Sequence, residues 1–186
     1  VVRQFLSLAG TTINCSGGPT PWKSWISCEE TEIQTGEDWK KDHGYNFEVP
    51  VTEKPGLAEP LPIKDMGRFT HEAVAIDPRT SIAYQTEDEG NGLIYRYIPN
   101  VPGELHKGGV LQALGFKSKP SMDTRNWEET TVLKRELNYI EWITLLDTQS
   151  PENDLRFRGH AAGAAIFARG EGMWYDNGKI YITCTT

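Results

Sequence analysis

Three short segments of the sequence combine thiol, carboxylate and guanidinium groups in patterns that suit metal and phosphate chemistry. The first runs from Asn14 to Thr31, where a Gly/Pro-rich turn and a short aromatic strand lead into Cys28-Glu29-Glu30. Because thiolates are soft ligands and carboxylates are hard ones, such a strand could hold iron through sulfur and calcium through oxygen. The alternative is a buried Cys28 with both glutamates in solvent.

The second segment is a predicted hairpin with a glutamate on each strand. Glu72 lies near the start of one strand and Glu87 near the end of the next, on either side of the turn at Asp77–Thr80. Antiparallel pairing would bring both carboxylates to the same edge of the sheet, where they repel each other unless a cation lies between them. An acidic turn without metal is the alternative. We interpret His71 as structural rather than as a general base.

The third segment places an arginine and a glutamate on either side of one glycine, as Arg169-Gly170-Glu171. The guanidinium of Arg169 can donate two parallel hydrogen bonds to a phosphate group. The carboxylate of Glu171 can serve as a metal ligand. The alternative is a surface ion pair in a loop.

Short β-branched and aromatic runs between turn residues predict an all-β fold. The runs are Trp25–Cys28, Tyr45–Val49, Ala73–Ile76, Ile82–Thr86, Leu93–Ile98, Tyr139–Ile143, Gly172–Tyr175 and Ile180–Thr183. Two of the predicted hairpins repeat one pattern, an acidic residue followed by a strand and a turn, which is typical of propeller blades. A plain β-sandwich is the alternative on periodicity alone. Residues 50–62 and 117–137 are predicted to be surface loops or insertions.

The composition excludes several classes of partner. A formal net charge of -7 argues against nucleic-acid binding, which requires a clustered basic face. The sequence contains no apolar run that approaches the roughly 18 residues of a membrane span. Its three cysteines form no CxxC pair, which argues against a disulfide framework and a structural zinc site.

Several stretches of the sequence together resemble the PhoX family of bacterial alkaline phosphatases. They are NCSGGPTPWKSWISCEET, DHGYNFEV, MGRFTHEAVAIDPRTSIAYQTED, LIYRYIPN and FARGEGMWYDNGKIYITCT. The resemblance implies a six-bladed β-propeller whose central pocket holds two ferric ions bridged by a cysteine thiolate, together with calcium ions. It implies that Cys28 bridges the irons and that Arg169 holds the substrate phosphate. The implied metal-binding carboxylates are Glu29, Glu72, Glu87 and Glu171.

The activity that the resemblance implies is calcium- and iron-dependent hydrolysis of small phosphate monoesters. It further implies a monomeric full-length protein in the periplasm or outside the cell. Two alternatives remain open: a non-catalytic calcium-binding propeller, and another metal-dependent hydrolase, such as a phosphodiesterase or a lactonase.

Residues 1–186 are expected to form a single partial propeller domain that is truncated at both ends. A closed six-bladed ring of the family needs several hundred residues, so further blades and ligands would lie outside this chain. We therefore expect this internal fragment to be inactive on its own and to expose strand edges.

Overall fold

The computed structural model describes residues 3–185 and is built mainly from β-strands. In chain order, the strands are β1 (Asn14–Pro19), β2 (Ser24–Glu29), β3 (Asn46–Pro50), β4 (His71–Ile76), β5 (Ala83–Glu87), β6 (Ile94–Pro99), β7 (Gly109–Phe116), β8 (Ile140–Thr144), β9 (Gly170–Asp176) and β10 (Lys179–Cys184). The helix α1 (Leu155–Ala161) precedes β9, and two 3₁₀ turns lie at Lys64–Met66 and Leu105–Lys107. The predicted all-β fold is confirmed.

The strands form two antiparallel groups and a separate hairpin. The first group is β1–β3 and the second is β4–β8, and together they form a sheet of order β3-β2-β1-β4-β5-β6-β7-β8. The groups meet where β1 and β4 run parallel, with Gly17 opposite Ala73. The terminal hairpin pairs β9 with β10. Side-by-side antiparallel groups are what neighbouring blades of a propeller look like within one chain.

Glycine makes the contact between the two groups possible. Gly17 has a φ of +74°, and a Cβ there would lie 1.9 Å from the carbonyl oxygen of Ile26. A Cβ on Gly18 would lie 1.9 Å from the carbonyl oxygen of Val74. Because no side chain fits at these distances, β1 can lie between β2 and β4 only with glycine at both positions.

The main hydrophobic core joins both groups of strands. It includes Ile26 of β2, Val74 of β4, Tyr95 of β6 and Leu111 of β7, all of which are fully or almost fully buried. A second cluster forms where Met173 of β9 packs near the alanines of β4. The start of β9 is thereby held against the second group, which fixes the position of the segment that precedes it.

Each of the predicted strand runs coincides with a strand, to within one or two residues at its ends. Both predicted hairpins form, and the β9–β10 turn has positive φ at Asn177 and Gly178, as a two-residue hairpin turn requires. Of the two predicted loops, residues 50–62 begin with Pro50, the last residue of β3, and otherwise contain only an isolated bridge at Pro62. Residues 117–137 contain no helix or strand apart from isolated bridges. Within residues 3–185, no helix is long and apolar enough to cross a membrane.

Candidate active site

A thiol and two carboxylates meet where the two groups of strands join. The ligand atoms of Cys15, Glu30 and Glu72 all lie within 4.8 Å of one another. Cys15 belongs to β1, Glu72 belongs to β4, and Glu30 directly follows β2 and forms a bridge with Thr70. The thiol of Cys15 donates a hydrogen bond of 3.2 Å to Oε1 of Glu72. We call these three residues the ligand group.

The pKa values of all three members of the ligand group are raised, first by burial and then by neighbouring acidic groups. Burial and the hydrogen bond to Glu72 raise the pKa of Cys15 to about 12. Burial, and then the neighbouring Asp88 carboxyl, raise the pKa of Glu30. Burial also raises the pKa of Glu72, as does the negative charge of Glu171. A bound cation would favour the ionised form of all three, since a positive charge reverses each of these effects.

Arg169 lies beside the ligand group and is held by two acids. Its Nε and Nη2 donate to the two carboxylate oxygens of Asp88 at 2.8 and 2.9 Å. Nη2 also donates to Glu171 at 3.2 Å. The positive charge of Arg169 partly offsets the rise in the pKa of Glu72, so the guanidinium lies within electrostatic reach of the ligand group. Since its side chain is 48% exposed, Arg169 is accessible to a ligand from solvent.

Three of the residues singled out from the sequence, Glu72, Arg169 and Glu171, therefore come together. Cys28 lies next to this site but is completely buried in the core, opposite Cys15 in the pairing of β1 with β2. Burial raises the pKa of Cys28 well above its usual value, and the charge of Glu72 adds to the effect. The ligand group contains the sulfur of Cys15 and not that of Cys28.

Glu29 is buried, and N–H donors surround both of its carboxylate oxygens. Oε1 lies 2.7 Å from Nδ1 of His43 and accepts from the backbone of Thr12 at 3.0 Å. Oε2 accepts from the backbone of Gly44 and Tyr45 at 2.8 and 3.2 Å. These contacts tie the segment before β3 to the end of β2.

Glu87 lies inside the second group of strands. Its Oε2 accepts hydrogen bonds from the backbone of Leu93 at 2.9 Å and the hydroxyl of Tyr95 at 2.8 Å. Its Oε1 lies 3.5 Å from Nη1 of Arg156. Complete burial raises the pKa of Glu87 to about 7. The pairing sets His71, not Glu72, opposite Glu87, so the two glutamates have different neighbours.

His71 is fully buried and has a structural environment. Its Nε2 lies 3.1 Å from the carbonyl oxygen of Gly67, its Nδ1 lies 3.1 Å from the side-chain amide nitrogen of Asn46, and its ring stacks on Phe69 at 3.6 Å. Burial lowers its pKa to about 3. A histidine that stays neutral and has both ring nitrogens engaged is poorly suited to act as a general base, which agrees with the interpretation made from the sequence.

Cys15, Glu30 and Asp88 have no role among the predictions made from the sequence. A signal for Cys15 was present, because the turn at residues 20–23 sets Cys15 directly opposite Cys28 in a hairpin. The importance of Glu30 depends on its bridge to Thr70, and that of Asp88 on its contact with Arg169, which lies 81 residues away in sequence. Neither contact is visible in local sequence.

The fold and the site thus define a β-rich protein with a possible metal site beside an accessible arginine. The sequence model of alkaline phosphatase PhoX matches residues 1–186, and the chain therefore belongs to the PhoX family. The PhoX family is a family of phosphatase-type hydrolases.

A solved structure supports the same fold. The chain is similar to the structure titled Pseudomonas fluorescens PhoX in complex with vanadate, a transition state analogue, with a TM-score of 0.61 and 17% sequence identity. The similarity covers 94% of this chain and 40% of that chain. This chain therefore spans less than half the length of the PhoX structure that it resembles. No curated protein sequence matches it significantly.

Proposed function

We propose that this chain contributes a metal and phosphate site to a calcium- and iron-dependent phosphomonoester hydrolase. The observation that carries the proposal is the charge of the site. Four carboxyl groups lie close enough to the guanidinium of Arg169 to interact with it: Asp88, Glu171, Glu30 and Glu72. Since a phosphate monoester is itself an anion, it would be repelled from this site unless cations were bound there as well.

The ligand group fits such cations by the chemistry of its donors. Cys15 would supply a soft thiolate, which suits iron, and the carboxylates of Glu30 and Glu72 would supply hard oxygen ligands, which suit calcium and ferric iron. Glu171 would add a further carboxylate, since its charge already acts on Glu72. When bound, these metals would neutralise the oxygens of the phosphoryl group and supply an activated oxygen nucleophile.

The chain's own residues would bind and orient the substrate. Arg169 would donate hydrogen bonds to the phosphate and stabilise the negative charge that shifts between its oxygens in the transition state. The substrates would be small phosphate monoesters, and the protein would act as a monomer in the periplasm or outside the cell.

The test is hydrolysis of p-nitrophenyl phosphate at alkaline pH by the full-length protein, before and after removal of calcium with EGTA. We expect the activity to disappear on chelation and to return with added calcium. Elemental analysis of the purified protein should find iron and calcium. A folded, metal-loaded protein that does not hydrolyse the ester would exclude the phosphatase function. Faster hydrolysis of bis(p-nitrophenyl) phosphate would instead indicate a phosphodiesterase.

A further inference from the structure

We propose that Asp88 is a positioning residue that keeps the guanidinium of Arg169 available to phosphate and away from the ligand group. This role rests on the proposed function, in which Arg169 binds the phosphate. The proposal is carried by three observations: the geometry of the Asp88–Arg169 pair, the anchoring of the loop that carries Asp88, and the competing acids nearby.

The Asp88–Arg169 pair is bidentate, and its two partners differ in exposure. Two parallel hydrogen bonds of 2.8 and 2.9 Å join Nε and Nη2 of Arg169 to the carboxylate oxygens of Asp88. The side chain of Asp88 is 9% exposed, whereas that of Arg169 is 48% exposed. The acid is thus the fixed partner and the arginine is the accessible one. Such a fork fixes the plane of the guanidinium as well as its position.

The loop that carries Asp88 is itself bound to the segment before β9. The backbone N–H of Asp88 donates to the carbonyl of Thr70 at 3.1 Å. The N–H of Arg169 donates to the carbonyl of Glu89 at 2.8 Å, and that of Phe167 donates to the carbonyl of Gly92 at 2.8 Å. Arg169 has a φ of +51°, so its backbone is held in the left-handed region. The backbone of Asp88 and the backbone of Arg169 are therefore each held by hydrogen bonds of their own, independently of the side-chain pair.

The fork leaves one part of the guanidinium for a ligand. Nε and Nη2 are bonded to acids, and within residues 3–185 Nη1 has no hydrogen-bond partner. Without Asp88, the acids left beside Arg169 would be Glu171, to which it already donates at 3.2 Å, and the carboxylates of Glu30 and Glu72 in the ligand group. An arginine that moved onto these acids would occupy the metal-binding carboxylates and lose its orientation toward phosphate.

The experiment is a double-mutant cycle in the full-length, metal-loaded protein, with the variants Asp88→Asn, Arg169→Gln and the double variant. Two quantities are measured: the affinity for inorganic phosphate by calorimetry, and the kcat and KM for p-nitrophenyl phosphate. We expect each single variant to weaken phosphate binding and raise KM about tenfold, and the double variant to show about the same loss rather than the product of the two.

A matched control is available in the same hairpin. Asp77 forms the same kind of fork with Arg79, at 3.1 and 3.0 Å, in the turn at the other end of β4. Asp77→Asn removes an equivalent pair and is expected to leave phosphate affinity and KM unchanged. Metal content is measured for every variant, and Asp88→Asn is expected to retain the metals of the wild-type protein.

Several results would overturn the positioning role. If Asp88→Asn binds phosphate as well as the wild type, or if the losses from the two single variants multiply in the double variant, Asp88 does not act through Arg169. If Asp88→Asn loses metal, Asp88 belongs to the metal site instead. In all of these cases the wild type still hydrolyses the ester, so the proposed function stands. If the wild type neither binds phosphate nor hydrolyses the ester, the proposed function fails and this role fails with it.

Discussion

The thiol of Cys15 lies 3.2 Å from the carboxylate of Glu72, although the two residues are 57 positions apart and belong to different groups of strands. Directly across the strand pair from Cys15 is Cys28, whose side chain is completely buried. One of these two neighbouring cysteines thus faces the acids of the site, and the other packs in the core. This difference allows their roles to be separated experimentally.

We expect Cys15→Ala to lose bound iron and to lower phosphatase activity at least about 100-fold, because it removes a proposed ligand outright. The matched variant Cys28→Ala should retain metal and activity and lose about 1 kcal/mol of stability, as is common for a small core truncation. Elemental analysis, ester hydrolysis and urea denaturation of both variants provide the measurements. Loss of iron in Cys28→Ala with retention in Cys15→Ala would show instead that Cys28 is the bridging ligand.

Glu29 and Glu30 are adjacent in sequence but should respond differently to the same substitution. Glu29→Gln replaces one carboxylate oxygen with an amide NH₂, which cannot accept the hydrogen bonds that the surrounding N–H groups donate. We therefore expect the free energy of unfolding to fall by about 1–3 kcal/mol and the metal content to stay unchanged. Glu30→Gln removes a carboxylate from the ligand group and should lower metal content and activity with little loss of stability. Metal analysis and denaturant unfolding of the two variants test this, and identical behaviour of the pair would contradict it.

Arg68 should contribute far more to stability than a surface arginine. It is 1% exposed and donates to the carbonyls of Gln149, Glu32 and Ser150 and to the side chain of Asn153. We expect Arg68→Ala to destabilise the protein by about 3 kcal/mol, because several buried acceptors lose their donor.

The control for Arg68 is Arg79→Ala, which removes an exposed arginine from a surface ion pair. Its effect on urea unfolding should be much smaller. Equal losses from the two variants would mean that water replaces the donors of Arg68.

Gly18→Ala should disrupt the junction between the two groups of strands. The added Cβ would lie 1.9 Å from the carbonyl oxygen of Val74, which is backbone and cannot rotate away. We expect a loss of about 3 kcal/mol or more, together with weaker metal binding, since Cys15 would be displaced. Gly56→Ala, where no atom lies within 4 Å of the new Cβ, should leave thermal unfolding unchanged. If Gly18→Ala unfolds at the same temperature as the wild type, β1 can shift to make room for the added methyl group without loss of stability.

The strands that sequence predicted well are those with β-branched and aromatic residues, such as β4 and β6. Two strands were missed because their composition favours other structures. β1 reads Asn-Cys-Ser-Gly-Gly-Pro, which is typical of a turn, and is a strand because its glycines admit two neighbours at close range. β7 contains leucine, alanine and glycine, and its pairing with β6 and β8 overrides their weak β propensity.

The site was only partly predictable for a related reason. Arg169 and Glu171 are close in sequence, so a local pattern could identify them as a pair. The choice between Cys15 and Cys28 depends on which sulfur approaches Glu72, and that is set by the packing of β1 against β4. The sequence position of Cys28, next to Glu29 and Glu30, made it the predicted ligand, and that role stays a prediction.

The parallel contact of β1 with β4 has a thermodynamic consequence. Because Cys15 and Glu72 come from opposite sides of that contact, a metal bound by both would favour the arrangement in which the two groups of strands are joined over any state in which they separate. Binding and folding are then linked, and the stability gained rises with the logarithm of the free metal concentration. A cell short of such metals would consequently hold less of the intact protein, because the separated state is more open to proteolysis.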